Sequence, residues 1–204
     1  IYAMSADGSN ITRLTSSPDE DRQPAWSPDY RQIAYVSRTE DNSWAVFIMN
    51  ADGSNSRRLT DDSMATYAEN PTWSPDGQRI AFVTSTSSGL QVQVVNIDGM
   101  DYHRLIDSTE ESYDPAWSPD GQSIAYAVPQ NDQYSAIFVA DVNRGRLPSQ
   151  LSREDGGESR SPAWSPDGLE TAYAVTGGSH GDAIMVRDST GVLTEVYVSD
   201  LFVD

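Results

Sequence analysis

One segment of this 204-residue chain has the residue types and spacing of a catalytic nucleophile. Gly177-Gly178-Ser179-His180-Gly181 matches the Gly-x-Ser-x-Gly pattern. That pattern works when a strand-to-helix elbow exposes the serine hydroxyl, with an acid and a histidine supplied by other segments. This copy lies between two strand-like segments and no helical periodicity follows it. We therefore expect a flexible loop and not a nucleophile.

Three acidic loops have the composition of half a calcium site. Asp-Gly dipeptides recur at Asp7, Asp52 and Asp98. An EF-hand loop needs further spaced oxygen ligands and a closing bidentate glutamate, and these loops lack both. An Asp-Gly pair is also a sufficient signal for a hairpin turn. We expect no metal and no other cofactor, with calcium kept open as the alternative.

The remaining titratable residues do not form a catalytic set. Adjacent acids such as Asp61-Asp62 and Glu110-Glu111 could in principle perform acid–base catalysis. The chain has 31 acids, so neighbouring pairs are expected, and a solvated surface is the simpler interpretation. The two histidines, His103 and His180, are too few for a histidine-rich metal site, and zero cysteine excludes a thiol nucleophile, a disulfide and Cys-ligated zinc. We predict that this chain is not itself an enzyme.

The charge excludes several classes of partner. Thirteen basic residues, all arginine, stand against 31 acids, so the formal net charge is −18. Binding a nucleic acid or an anionic membrane surface requires clustered cations, so we expect neither. No run approaches the roughly 18 apolar residues of a membrane helix, so no membrane insertion is expected. The 10 Tyr, 5 Trp and 4 Phe predict an ordered acidic protein.

A repeat organises the whole sequence. Trp-Ser-Pro-Asp occurs four times at intervals of 47, 44 and 47 residues, beginning at Trp26, Trp73, Trp117 and Trp164. An apolar segment that ends in Asp-Gly and a segment that ends in Arg-Leu-Thr or a variant run in phase with it. A period in the mid-forties with four short strands per unit is typical of a propeller blade.

The first unit illustrates the four strands. The first strand ends at Trp26, and the proline and aspartate that follow favour a tight turn, although Tyr30 replaces the glycine of the later units. We therefore expect a strained turn, or one of another type, at Tyr30. The second strand is a continuous apolar run, as for a strand covered on both faces. The third spans 46–50, and Asp52-Gly53 turns the chain into the fourth.

The predicted fold class is all-β, a β-propeller of four-stranded antiparallel blades. We expect one partial propeller over residues 1–204, with a half blade at 1–15 and four blades at 24–60, 71–106, 115–152 and 162–200. About four and a half blades would leave an open or incomplete ring. We therefore expect the chain to belong to a longer polypeptide, or its open edges to be capped by another chain or by self-association.

Together these motifs resemble the TolB-type propeller repeat, also called PD40, a WD40-like repeat. The motifs that carry the resemblance are Trp-Ser-Pro-Asp-Gly, then Ile-Ala-Tyr or Ile-Ala-Phe, the Asp-Gly-Ser-Asn turn and Arg-Leu-Thr, and they cover nearly the whole chain. The resemblance implies a central channel and a periplasmic, extracellular or cell-surface location. It also implies a choice of roles, since such propellers bind proteins, gate serine peptidases or, less often, act as lyases.

The loops that differ between units are the expected binding surface. In a propeller, the connections from the fourth to the first strand and from the second to the third emerge on one face, and loops on a rigid scaffold commonly carry binding residues. We predict that a protein partner contacts this face near the channel mouth. The candidate residues are Asp21, Arg22, Tyr67, Glu69, Asn70, Tyr113, Asp114 and Arg160, with Trp44 and Tyr134 as weaker candidates.

Two functions remain open from the sequence. The first is a non-catalytic TolB-like scaffold that mediates protein–protein interaction through the variable-loop face, as part of a larger chain or assembly. The alternative is the substrate-gating propeller of a serine peptidase, or of a related enzyme, whose catalytic domain lies outside this sequence.

Overall fold

A computed structural model describes residues 1–17, 20–61, 67–106, 108–131, 134–143, 147–152, 157–177 and 181–198. The predictions made for Asp62, Gly178, Ser179, His180 and residues 199–204 concern residues outside this part. The described residues form eighteen strands. They include no helix long and apolar enough to cross a membrane.

The strands form one pair and four sets of four. The pair, a half blade, is β1 (Tyr2–Ala3) with β2 (Thr12–Arg13). The first blade is β3 (Asp21–Trp26), β4 (Gln32–Arg38), β5 (Trp44–Asn50) and β6 (Arg57–Arg58). The second is β7 (Ala68–Trp73), β8 (Arg79–Thr86), β9 (Gly89–Asn96) and β10 (His103–Arg104). The third is β11 (Tyr113–Trp117), β12 (Ser123–Asn131), β13 (Tyr134–Asp141) and β14 (Ser149–Gln150). The fourth is β15 (Glu158–Trp164), β16 (Glu170–Thr176), β17 (Ala183–Asp188) and β18 (Leu193–Val198).

Within each set, strands that are consecutive in sequence are neighbours in the sheet. The registers that define the first, third and fourth blades are antiparallel throughout. Among the described residues, one parallel pair, Ser135 with Glu158, joins the sheets of the third and fourth blades. The predicted all-β class, with four-stranded antiparallel blades and about four and a half of them in the chain, is confirmed.

Each first strand contains a β-bulge at the proline that stands two residues before the repeated tryptophan. We call this residue, which is Pro24, Pro71, Pro115 or Pro162, the repeated proline. In the first blade, Arg22 pairs with Val36 and Ala25 pairs with Ala34, so Gln23 and Pro24 together face the single residue Tyr35. The residue before the proline has positive φ in all four blades, at Gln23 (53°), Asn70 (50°), Asp114 (53°) and Ser161 (52°). A bulge tolerates proline because no ladder hydrogen bond is required of it. The first strands therefore extend beyond the proline, toward the variable loops.

The turn after each first strand is held by one serine and one aspartate. In the third blade, Ser118 Oγ donates to Asp120 Oδ1 (2.6 Å), and Ser123 N–H donates to Ser118 Oγ (2.9 Å). The first blade makes the same turn, in which Tyr30 N–H donates to Ser27 O (2.9 Å) although Tyr30 has φ of 58°. The expected strain at Tyr30 is therefore present, in a turn of unchanged type.

The chain divides into two compact units. The first consists of Ile1–Ser85 with Gln93–His103, and the second of Thr86–Val92 with the described chain from Arg104 onward. The core of the first unit centres on the second and third strands of its blades, and includes Ala34, Val46, Ile48, Leu59, Ile80, Phe82 and Val95. The second unit buries Ala125, Ala127, Ile137, Tyr173, Val175, Ala183 and Met185.

The repeated tryptophans join consecutive blades inside each unit. In the first unit, Trp73 Nε1 donates to Ala25 O (3.0 Å), and in the second, Trp164 Nε1 donates to Ala116 O (3.2 Å). Trp73 is 7% exposed, whereas Trp26 is 47% exposed. The indole thus supplies both packing area and a hydrogen bond to the backbone of the preceding blade.

Candidate functional site

The candidate residues gather at the N-terminal ends of the first strands. The position two residues before the repeated proline is occupied by arginine in the first and fourth blades, by glutamate in the second and by tyrosine in the third, namely Arg22, Arg160, Glu69 and Tyr113. All four were among the residues predicted from the sequence. They belong to two clusters, one in each unit.

The first unit brings Arg22, Trp44, Tyr67 and Glu69 together, and we call these four residues the Arg22 cluster. The Arg22 Cζ atom lies 3.8 Å from the centroid of the Trp44 ring and 5.9 Å from that of the Tyr67 ring. Trp44 reaches this position because it opens β5 at the end of the blade where β3 begins. A guanidinium above an indole face is a favourable cation–π arrangement, which fixes the orientation of the side chain.

The hydrogen bonds of the Arg22 cluster leave part of the arginine without a partner. The Tyr67 hydroxyl donates to Glu69 Oε2 (2.7 Å). That bond, and then burial, raise the pKa of Tyr67, while the Arg22 guanidinium opposes the shift. Among the described residues, the buried Nε and Nη2 of Arg22 and Oδ1 of Asp21 have no hydrogen-bond partner. Buried donors without partners are costly, so each one in a folded protein calls for an explanation.

The bulge residues hold one another in place. Gln23 Nε2 donates to Asn70 Oδ1 (2.6 Å), and Asn70 N–H donates to Gln23 Oε1 (3.0 Å). In the second unit, Ser161 N–H donates to Asp114 Oδ2 (3.1 Å). Asn70 and Asp114 therefore have a structural role in linking consecutive bulges. Gln23, which was not predicted, could have been found from its place immediately before the repeated proline.

The second unit contains a related arrangement, the Arg160 cluster, formed by Tyr113, Glu158 and Arg160. Arg160 Nε donates to Glu158 Oε2 (3.0 Å), and its Cζ lies 5.1 Å from the Tyr113 ring centroid. The hydrogen bond to Glu158 raises the pKa of Arg160. Glu158 was not predicted, although it stands four residues before the repeated proline, where Tyr67 stands in the second blade.

Besides Asn70 and Asp114, which link the bulges, two further predicted residues are not part of either cluster. Tyr134 opens β13, and its backbone N–H donates to Asn131 Oδ1 (3.1 Å) at the connection between β12 and β13. Asp21 pairs in register with Ser37 at the start of the first blade. Their participation in binding stays a prediction.

The acidic turns use their carboxylates locally. Asp7 Oδ1 accepts hydrogen bonds from Ser9 Oγ (2.7 Å) and Ser9 N–H (2.9 Å), and these bonds lower the pKa of Asp7. Asp52 and Ser54 repeat the arrangement. Over the described residues, no group of three or more His, Asp or Glu side chains is placed to hold a metal ion. The expectation that the chain needs no cofactor remains to be tested.

Comparison with known proteins agrees with this architecture. The family model of the TolB beta propeller domain, PD40, matches residues 1–92 and 78–196. The search of curated protein sequences gave no match.

The solved structures that share the fold include three of low sequence identity to this chain. TolB from Acinetobacter baumannii superposes with a TM-score of 0.77 at 20% identity, over 98% of this chain and 49% of that one. The putative TolB from Agrobacterium tumefaciens gives 0.72 at 16%, over 92% and 84%. A puromycin-hydrolyzing peptidase from Mycobacterium tuberculosis gives 0.73 at 20%, over 93% and 32%.

The chain thus spans about half the length of the Acinetobacter TolB. At these identities the three structures show a shared fold and nothing about activity. The family model is more specific, because it matches by sequence and covers nearly all of the described blades. This chain belongs to the PD40 family of TolB β-propeller domains.

Proposed function

We propose that this chain is a non-catalytic propeller scaffold that binds a protein partner through its variable-loop face. The observation that carries the proposal is the Arg22 cluster, in which a cation is stacked on Trp44 at 3.8 Å while two of its buried nitrogens have no partner among the described residues. The predicted residues Asp21, Asn70, Tyr113, Asp114, Tyr134 and Arg160 are included in this proposal as further contacts.

The chemistry of the cluster suits a protein surface. Tryptophan, tyrosine and arginine are the residue types most enriched among those that dominate binding energies. The stacked arginine is already ordered, so little side-chain entropy would be lost when a partner binds. Tyr67 and Glu69 add a hydroxyl and a carboxylate beside the rings, which provides polar contacts for orientation.

The charge of the whole chain restricts the partner. With −18 overall, the chain attracts proteins of opposite charge and repels acidic ones at long range. We propose a basic or neutral protein partner.

We propose that this partner is met in the periplasm or at the cell surface, the location that family membership suggests. Fractionation of the source cells would test the location, and recovery in the cytosol would contradict it.

Site-specific photo-cross-linking tests the proposed surface. The probe p-benzoylphenylalanine is placed at Trp44 in one variant and at Tyr30 in another, since Tyr30 is exposed and lies in the turn at the opposite end of the first blade. We expect a discrete cross-linked protein from the Trp44 variant in the source cells, and none from the Tyr30 variant. Equal products from both variants, or a product from Tyr30 alone, would contradict the proposal.

A further inference from the structure

The half blade has an open strand edge in the first unit. β1 and β2 form a sheet of two strands, whereas in each complete blade the third strand lies between the second and the fourth. The register of β1 with β2 matches that of β5 with β6, since Tyr2 pairs with an arginine as Phe47 does. β1 and β2 therefore take the places of a third and a fourth strand. Within the described residues, no second strand lies beside β1.

Apolar side chains at this edge are exposed, although their counterparts in the first blade are covered. Met4 is 67% exposed, whereas Met49, at the same place in the repeat, is 1% exposed. Tyr2 is also exposed, whereas its counterpart Phe47 is half-buried. Residues two apart in an extended strand share a face, so Tyr2 and Met4 together offer an apolar surface beside the open edge.

The complete blades show which kind of strand covers such an edge. In the first blade, β4 runs antiparallel to β5, and Ile33 lies opposite Met49. Tyr35 lies opposite Phe47, with 5.8 Å between the ring centroids. The pattern of an isoleucine, an alanine and an aromatic residue recurs in three second strands, as Ile33-Ala34-Tyr35, Ile80-Ala81-Phe82 and Ile124-Ala125-Tyr126. A strand that covers β1 should therefore carry an aliphatic residue and, two positions later, an aromatic one.

We propose that the half blade accepts a β-strand from a different protein. The added strand runs antiparallel to β1, with its aliphatic residue opposite Met4 and its aromatic residue opposite Tyr2. Its backbone extends the sheet, because an open edge offers N–H and C=O groups for pairing. The two cross-strand pairs add apolar contact to these hydrogen bonds. This site does not involve the Arg22 cluster and does not depend on the proposed function.

A different protein suits this edge better than a second copy of the chain does. In the described blades each second strand is already paired, with a first strand on one side and a third on the other. Copies also repel one another, because each has a charge of −18. A basic segment is attracted instead, and residues 31–38 show that this strand pattern can carry two arginines and no acid. The edge is therefore assigned to a basic strand.

Titration of the full chain with a peptide that copies residues 31–38 tests the site. The peptide has blocked ends and the sequence Arg-Gln-Ile-Ala-Tyr-Val-Ser-Arg. We expect amide hydrogen exchange, followed by NMR, to slow at Ala3 and Met4 and to stay unchanged in the complete blades. A control peptide of equal charge has proline in place of its alanine, which prevents regular pairing, and should bind at least about tenfold more weakly. Equal affinity of the two peptides, or slower exchange only outside β1, would overturn the proposal.

Two methionines of similar exposure provide a matched pair of variants. Met4 is 67% exposed and Met100, in the connection between β9 and β10, is 69% exposed. Met4→Ser should weaken peptide binding at least about tenfold, because it removes an apolar side chain that the added strand covers. Met100→Ser should leave the affinity unchanged, and so should Arg22→Ala, which tests the proposed function separately. Equal affinities of Met4→Ser and Met100→Ser would show that the peptide does not bind at this edge.

Photo-cross-linking from Tyr2 in the source cells identifies where the strand comes from. With p-benzoylphenylalanine at Tyr2, we expect a product that contains a different protein, and excess of the peptide should suppress that product in a lysate. A product of twice the mass of the protein would instead assign the edge to a second copy. A cross-link within one polypeptide would show that the protein covers the edge with its own chain. Either of these two results would overturn the proposal.

Discussion

Arg22 and Arg160 show how one position acquires different properties in different blades. Both stand two residues before the repeated proline. The Nε of Arg160 donates a hydrogen bond to the Glu158 carboxylate (3.0 Å), whereas the guanidinium of Arg22 is stacked on the Trp44 ring. In a chain with 31 acids, an arginine placed on a ring with buried nitrogens lacking partners is a candidate for contact with another molecule.

Tyr30 gives a prediction at the residue scale, because it adopts φ of 58° where the later turns have glycine. Left-handed backbone costs a non-glycine residue about 1–2 kcal/mol, and part of this is recovered when glycine is introduced. Tyr30→Gly should therefore raise the free energy of unfolding by about 0.5–1 kcal/mol, measured by urea denaturation. Gly77→Ala, at the same turn position in the second blade, should lower it. A loss of stability in Tyr30→Gly would contradict the assigned turn.

The turn aspartates predict a specific dependence on pH. Hydrogen bonds from Ser118 Oγ and from Gln122 N–H lower the pKa of Asp120 below its value in the unfolded chain. Its contribution to stability is therefore complete at neutral pH and is lost as the pH falls through the folded pKa. The difference in unfolding free energy between the parent chain and Asp120→Asn should shrink in acid. A difference that stayed constant below pH 4 would contradict this role.

At the scale of elements, a hairpin turn of the first blade packs against the half blade. A Cβ atom added to Gly53 would lie 2.5 Å from Leu14 O, whereas one added to Gly8 would have no neighbour within 4 Å. Both glycines have φ of 84°, so an alanine at either is strained to a similar extent. In urea denaturation, Gly8→Ala should lower the free energy of unfolding by about 1–2 kcal/mol. Gly53→Ala should lower it by about 1–3 kcal/mol more than Gly8→Ala does. Equal losses would show that the turn at Gly53 is free of the half blade.

The strands and turns could be predicted because the residue pattern of each one occurs in all four repeats. The bulges could not, since the residues with positive φ are Gln23, Asn70, Asp114 and Ser161, four types that share only a following proline. The position of the candidate residues at one end of each blade could be predicted, because the loops there vary between repeats. The contact of Arg22 with Trp44 could not be predicted, because it depends on the register between β4 and β5 and on the rotamers of two long side chains.

At the scale of the molecule, net charge and exposed apolar residues act in opposite directions. Much of the charge of −18 comes from turn aspartates that are needed locally, including Asp29, Asp76, Asp120 and Asp167. Exposed apolar side chains of the first unit include Tyr2, Met4, Ile11 and Trp26. Charge repulsion keeps copies apart, and exposed apolar surface and unpaired strand edges favour association.

The isolated chain should therefore self-associate when salt screens its charge. At 0.15 M ionic strength charges are screened beyond about 8 Å, and higher salt shortens that distance. We expect sedimentation velocity to show larger species as NaCl is raised, and broad thermal unfolding. A monodisperse monomer that melts cooperatively at all salt concentrations would contradict the expectation that the open edges need a cover.

Amide hydrogen exchange tests the central claim most directly. It is measured on the chain alone and on the chain bound non-covalently to the partner that photo-cross-linking identifies. If the partner binds the variable-loop face, exchange should slow at Arg22, Trp44 and Tyr67 and stay unchanged in the turns at Tyr30 and Gly77. The same protection should be lost in Arg22→Ala and kept in Tyr30→Gly. Protection confined to the Tyr30 and Gly77 turns, with Arg22 and Trp44 exchanging as in the free chain, would contradict the proposed binding surface.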